Sequence, residues 1–194
     1  MTDILFNKKI ILASNSPRRK ELLTNLKIPF KVIVKQDLDE TLPEDIKTED
    51  AAKYLAEKKA SFYNDVIQEE NTILITADTI VLNNKKILGK PSGYEEAFDM
   101  LRSLSGKMHK VITGVAVTSP EKQTVFDSMT KVYFKELTNN EMDHYIKNFK
   151  PFDKAGAYGI QEWIGMIGIT KIEGSYFNVV GLPVQKLYSE LIKF

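Results

Sequence analysis

The sequence predicts an α/β protein built on a long mixed sheet, and three stretches carry that prediction. Residues 9–34 run strand, tight turn, helix, strand, the order of a βαβ unit with parallel strands. Residues 72–82 are almost continuously apolar (Ile73, Leu74, Ile75, Ala77, Ile80, Val81, Leu82), as in a strand buried on both faces. Residues 110–118 alternate through Val111, Thr113, Val115 and Val117. A turn at Pro120-Glu121 then leads to a long partner at 124–137, so hairpin pairing joins the parallel kind.

The elements follow in order. The strand at 9–13 ends in Ser14-Asn15-Ser16, and a helix over 17–26 starts at once. Ser16 sits where an N-cap belongs, because its hydroxyl can accept from the free amides of the first turn. Pro17 takes the first helical position, where a missing N–H costs nothing. Leu22, Leu23 and Leu26 form the apolar stripe, Pro29 breaks the helix, and 30–34 make the next strand. Residues 36–50 are acidic and form a loop. A second helix over 49–66 turns Ala52, Leu55, Ala56, Phe62 and Val66 inward. Asn83-Asn84 turns the 72–82 strand into a short hairpin strand at 86–88. Ser92-Gly93-Tyr94-Glu95 has capping-box spacing and opens a helix to 104, which Gly106 ends. Thr138-Asn139-Asn140-Glu141 is a second box, heading a short helix to 147. Residues 149–158 read as a loop, 160–172 as extended apolar segments broken by glycines, and Gly174-Ser175-Tyr176 as a turn. Gly181-Leu182-Pro183 starts the last helix, with Val184, Leu187, Tyr188 and Leu191 buried. At 194 residues this makes one domain over 1–194, which can be divided into two lobes.

Composition excludes several kinds of chemistry. The chain has no cysteine, which removes disulfides, thiolate zinc sites and cysteine nucleophiles together. Its two histidines, His109 and His144, are far apart, which argues against a Ser-His-Asp triad or a histidine-rich metal site; both read as ordinary surface or cap residues. A net charge of +1 argues against general polyanion binding. No run approaches the ~18 apolar residues of a membrane span. Met1-Thr2-Asp3-Ile4 lacks a signal-peptide plan, so a cytoplasmic protein is expected. Carboxylates, lysines, arginines and hydroxyls must then carry the chemistry.

Arg18, Arg19 and Lys20 crowd the first turn of the first helix, the unfavourable end of the dipole for cations. An anion there would explain them, and free amides, hydroxyls and guanidinium groups together make a phosphate site; a solvated basic helix start is the alternative. Asp78 interrupts the most apolar strand, and a carboxylate there is costly unless paired or metal-bound. Thr79 beside it points to the opposite face in a regular strand. Glu40 closes the acidic run Asp37-Leu38-Asp39-Glu40, dense enough for Mg²⁺ or Mn²⁺, though a solvated acidic loop has the same composition. Lys59 lies on a helix. Lys90 is held in a loop between Gly89 and Pro91, and Lys154 stands in a small-residue segment that lets a ligand approach the backbone. Gln161 offers a donor and an acceptor that suit the edge of a base. Neither a P-loop nor a GxGxxG motif occurs.

Ser14-Asn15-Ser16-Pro17-Arg18-Arg19-Lys20-Glu21-Leu22-Leu23, Ala77-Asp78-Thr79-Ile80-Val81, Gly89-Lys90-Pro91, Leu104-Ser105-Gly106-Lys107-Met108-His109, Lys154-Ala155-Gly156-Ala157-Tyr158-Gly159-Ile160-Gln161 and Gly174-Ser175-Tyr176-Phe177-Asn178 occur in this order nearly end to end. Together they resemble the Maf-like nucleoside triphosphate pyrophosphatases, and the Lys154–Gln161 segment resembles their dTTP/UTP subgroup. The resemblance implies an inosine-triphosphatase-like α/β fold, with helices forming two lobes around a central cleft. It also implies a cytoplasmic homodimer, a divalent metal (Mg²⁺ or Mn²⁺), and cleavage between the α and β phosphates of dTTP, UTP or modified uridine triphosphates. Asp78 matches the family's catalytic base. Arg18, Thr79 and Gln161 match positions that influence substrate choice. Ser14, Arg19, Lys59, Lys90 and Lys154 match the phosphate site, and Glu40 with Asp78 the metal site. Glu162-Trp163 follows Gln161 where the family often has glycine. Alternatives are a pyrophosphatase for 7-methyl-GTP or other modified purine nucleotides, and a nucleic-acid-binding regulator of septum formation.

Overall fold

The computed structural model describes residue 5 and residues 7–194, so Met1-Thr2-Asp3-Ile4 lies outside the described residues. In chain order the elements are β1 (Lys9–Leu12), α1 (Pro17–Asn25), β2 (Phe30–Val32), α2 (Ala51–Phe62), β3 (Thr72–Asn83), β4 (Lys86–Leu88), α3 (Tyr94–Leu104) and β5 (Met108–Thr118). They continue with β6 (Gln123–Phe134), α4 (Asn139–Phe149), α5 (Trp163–Gly168), β7 (Ile169–Glu173), α6 (Tyr176–Val180) and α7 (Val184–Leu191). One sheet takes the strand order β2-β1-β3-β5-β6-β7, with β4 paired to β3.

The βαβ reading of the first stretch holds. β1 pairs in parallel with β2, Ile10 beside Phe30, and with β3, Ile10 beside Ile73. β4 returns antiparallel on β3, with Val81 opposite Leu88, and β6 pairs antiparallel with β7. The parallel pairs are joined through helices, a short turn joins β3 to β4, and β7 returns antiparallel to β6 only after α4 and α5.

The chain gathers into two compact units. One holds the chain through Asp78 with Thr113–Ser128 and Gly181–Phe194; the other holds Thr79–Ile112 and Met129–Val180. In the first, Ile11, Ala13, Ala60, Tyr63, Ile67, Leu74 and Ala116 form a buried cluster. The helix α2 lies hard against β5 there: a Cβ on Gly114 would fall 2.2 Å from the Ala52 carbonyl oxygen. Thr76 donates its hydroxyl to the Ala56 carbonyl at 2.6 Å, so this polar side chain is buried without loss. In the second unit the rings of His109, Phe134 and Tyr158 pack with centroids 5.1 to 5.5 Å apart. Asn178 on α6 donates to the Val111 carbonyl at 3.0 Å and to the Thr130 hydroxyl at 2.9 Å.

Several local expectations are corrected. Residues 163–168 are helical, not extended. A six-residue apolar run has no readable period, and tertiary contact decides it. The helix seats Gly165 so that a Cβ would lie 1.9 Å from the Ile160 carbonyl oxygen. After the turn expected at 174–176, residues 176–180 form a short helix that the sequence did not announce. The helix expected to reach 66 stops at Phe62 and continues as a 3-10 turn at Asn64–Val66. The box at Ser92 is shifted by one: Glu96, not Glu95, accepts from the Ser92 amide and hydroxyl, both at 2.7 Å, because the helix is capped at Gly93. The box at Thr138 with Glu141 forms as expected. His109 is no surface residue; it is 1% exposed and shares a 2.7 Å hydrogen bond with the Tyr158 hydroxyl.

Candidate active site

The site residues of the first unit gather where β1 ends, beside the middle of β3. The Ser16 hydroxyl caps α1 by accepting from the Arg19 amide at 3.4 Å. The Ser14 hydroxyl accepts from the Ser16 amide at 3.2 Å. Capping places Arg19 in the first turn of α1, beside the end of β1 and the middle of β3. Its guanidinium donates to Ser14 Oγ at 3.3 Å, to the Ala77 carbonyl at 2.9 Å and to the Gly181 carbonyl at 2.9 Å. Arg19 thus fastens α1 to β3 at the residue before Asp78. Burial pushes its pKa below the ordinary value, opposed by the negative charge of Asp78 and Glu40. Arg18 lies partly buried on the same turn.

Ten of the twelve β3 residues are buried; the two partly exposed ones are Asp78 and Thr79, so the strand opens to solvent at this step alone. Lys59 of α2 meets Asp78 there. Its ammonium lies 2.5 Å from Asp78 Oδ1 and 2.8 Å from Glu40 Oε1. The side chains of Lys59 and Asp78 are 13% and 15% exposed, so little water screens their attraction. The acidic loop is docked by neighbouring lysines of α2: Lys58 holds Asp39 at 2.8 Å while Lys59 holds Glu40. Hydrogen bonds from Lys58 and from Thr41 keep the Asp39 carboxyl well below the usual range.

The remaining residues belong to the second unit. The Gly89 carbonyl accepts from the Gly156 amide at 3.0 Å, which ties the Lys90 loop to the segment after Lys154. Lys90 itself is exposed. Gly156 has φ +70°, and a Cβ there would lie 3.1 Å from the Val81 methyls, so both backbone and space require glycine. Lys154 is 8% exposed, with its ammonium 2.7 Å from Asp153 Oδ1 and 3.0 Å from Glu162 Oε1. Gln161 Oε1 is buried with no hydrogen-bond partner. The structure therefore joins Ser14, Arg19, Asp78, Lys59 and Glu40 in one network, and brings the segments of Lys90, Lys154 and Gln161 together in another. Tyr145 and Glu162 were missed as site residues. Tyr145 reads in sequence only as a core position of α4, between Met142 and Ile146; Glu162 drew notice only as a departure from glycine.

Among the described residues no three His, Cys, Asp or Glu side chains group to hold a metal ion. Two carboxylates, Glu40 and Asp78, do converge on one point, the Lys59 ammonium. This donor set fits Mg²⁺ or Mn²⁺ bound by one or two carboxylates and completed by water and phosphate oxygens. It does not fit an all-protein cage.

The fold and this site define an α/β protein with an inosine-triphosphatase-like fold, in which a helix lysine meets two carboxylates beside a buried strand. The architecture is similar to the Ham1 protein of Staphylococcus aureus (TM-score 0.55, 15% identity, 96% of this chain and 99% of that one). The sequence model of the Maf-like protein family matches residues 9–194, and the chain belongs to that family. It is 53% identical over 192 residues (98% of this chain, 96% of the relative) to a protein of Christiangramia forsetii named dTTP/UTP pyrophosphatase. Proteins of the same name from Bacteroides fragilis (52%, 94% of each chain) and Phocaeicola vulgatus (51%, 100% of each chain) are similar to the same degree.

Proposed function

We propose that this chain hydrolyses dTTP and UTP between the α and β phosphates, releasing the nucleoside monophosphate and pyrophosphate. The observation that carries the reading is Asp78: a carboxylate at the one partly open step of an otherwise buried strand, with Oδ1 held by Lys59. The names of relatives above 50% identity support the choice of nucleotide.

The Asp78 carboxylate takes a proton from the water that attacks the α phosphorus. The bond from that phosphorus to the bridging oxygen breaks, and pyrophosphate leaves with its electron pair. A triphosphate carries about four negative charges at neutral pH, so catalysis is mostly positioning and charge stabilisation. Ser14, Arg19, Lys59, Lys90 and Lys154 bind the phosphates in this scheme. Arg18, Thr79 and Gln161 set substrate choice. The unpartnered Gln161 Oε1 supports its pairing with the imide edge of thymine or uracil. Glu40 and Asp78 would hold Mg²⁺ or Mn²⁺, which would offset phosphate charge. The working form is a homodimer in the cytoplasm, as the family resemblance implies; among the described residues no helix is long and apolar enough to cross a membrane.

The test is a panel of dTTP, UTP, 7-methyl-GTP and the purine triphosphates, read by pyrophosphate release with Mg²⁺ or Mn²⁺ present. Fastest release from dTTP and UTP is expected. Preference for 7-methyl-GTP or a purine would overturn the substrate reading. No release, combined with salt-dependent binding of duplex DNA, would favour a nucleic-acid regulator.

A further inference from the structure

We propose that Glu162, backed by Tyr145, is a positioning residue that holds the Lys154 ammonium where a phosphate oxygen reaches it. The proposal rests on the reading of Lys154 as a phosphate ligand.

The Lys154 side chain is 10% exposed, and an ammonium so enclosed needs a counter-charge. It has two, and they are not equivalent. Asp153 is the chain neighbour and its side chain is 57% exposed, so water screens it. The Glu162 side chain is 23% exposed and is fixed from behind. Its Oε2 accepts from the Tyr145 hydroxyl, while its Oε1 faces Lys154. Tyr145 is fully buried on α4, and its oxygen in turn accepts from the Gly159 amide at 3.0 Å. Burial and the Glu162 carboxylate push the Tyr145 pKa up, so the hydroxyl stays a donor. The backbone closes the same loop: the Glu162 amide donates to the Gly159 carbonyl at 3.1 Å. There is no slack, since a Cβ on Gly159 would lie 2.8 Å from Glu162 Cδ.

A chain of contacts therefore runs from the Gly159 amide through Tyr145 and Glu162 to Lys154, across both ends of the segment that carries Gln161. An ammonium has three N–H donors. Asp153 and Glu162 take two, and a phosphate oxygen takes the third. A lysine on a flexible four-carbon stem would otherwise sample many positions. The Glu162 carboxylate selects one of them, and its peptide link to Gln161 keeps the base-facing amide in register with it.

The variants are Glu162→Gln, Glu162→Asp and Tyr145→Phe, alone and over Lys154→Met. One readout needs no turnover: the rate of Lys154 acylation by an amine-reactive reagent, followed by peptide mass spectrometry, with exposed Lys147 as the internal standard. Glu162→Gln is expected to speed Lys154 labelling about fivefold, Tyr145→Phe about twofold, and Glu162→Asp less than Glu162→Gln because it keeps the charge. The second readout is hydrolysis of dTTP. Glu162→Gln is expected to lower kcat/KM about tenfold, mainly through KM, and to add less than about twofold over Lys154→Met, because the two groups act as one. Unchanged Lys154 labelling in folded Glu162→Gln overturns the proposal, as does full additivity with Lys154→Met. If Glu162→Gln does not fold, Tyr145→Phe decides by the same labelling: an unchanged rate overturns the proposal. A wild type that releases no pyrophosphate overturns the functional reading instead, and labelling still decides whether Glu162 positions the lysine.

Discussion

At the residue scale, the pair Lys59–Asp78 shows how a costly group is kept. A carboxylate in a buried strand is tolerated because an ammonium and a half-open step in β3 meet it. Asp78→Asn keeps the shape and removes the base. Its hydrolysis of dTTP is expected to fall about 10³-fold, with a melting temperature near wild type; pyrophosphate release and a thermal melt on the same sample check both. His109 makes a prediction of the opposite kind, about stability alone. Burial lowers its pKa from the ordinary 6.5 to about 4, so the unfolded chain binds the proton first. Stability is therefore lost as pH falls through the window from 6.5 toward 4, by up to about 3 kcal/mol at the acid end. His109→Gln, which does not titrate, is expected to show a smaller drop in urea midpoint between pH 7 and pH 4.5. Equal drops would remove His109 from the account. Asp78 was legible in the sequence because it is the one charged residue in a largely apolar run. The burial of His109 was not, because nothing near it in sequence names Tyr158 as its partner.

At the element scale, capping and glycine decide the boundaries. Ser16-Pro17 and Thr138 through Glu141 announce α1 and α4 by local chemistry, and both helices begin where those residues say. α5 has no such announcement. Its six residues pass as a strand by composition, and its seating on the Ile160 carbonyl, through Gly165, belongs to packing. Gly165→Ala is expected to destabilise by about 3 kcal/mol or more, because a Cβ would overlap backbone that cannot rotate away. Denaturant melts measure this directly; a loss under about 1 kcal/mol would show that α5 can slide. The shifted box at Ser92 teaches the same lesson. Ser-x-x-Glu and Ser-x-x-x-Glu both occur there, and only the position of the first helical turn chooses between Glu95 and Glu96.

At the scale of the whole molecule, charge is balanced overall but sorted locally. The net charge is +1, yet Lys59 meets Asp78 and Glu40, and Lys154 meets Asp153 and Glu162. Such a chain is expected to bind compact anions and not long polyanions. A non-hydrolysable dTTP analogue with Mg²⁺ at about 100 times its Kd is expected to stabilise the fold by about 2.7 kcal/mol, since it binds the native state alone. Duplex DNA at 150 mM salt, an ionic strength of about the physiological value, is expected to leave the melting temperature unchanged. A shift with DNA and none with the nucleotide analogue would reverse the assignment.

The sequence by itself determined the βαβ start, the buried central strand, the hairpins, the helix caps and the candidate residues, because each depends on neighbours in the chain and on a period of two or of 3.6. Family motifs spread along residues 9–194 carried the rest of the expectation. Only the tertiary structure decided who pairs with whom: Lys59 with Asp78 and Glu40, Arg19 with the Ala77 and Gly181 carbonyls, and Glu162 with Lys154 and Tyr145. Those partners are 17 to 162 residues apart, save Lys154 and Glu162, which a folded loop brings together. Periodicity names the face a side chain takes, but only folding sets what stands opposite it.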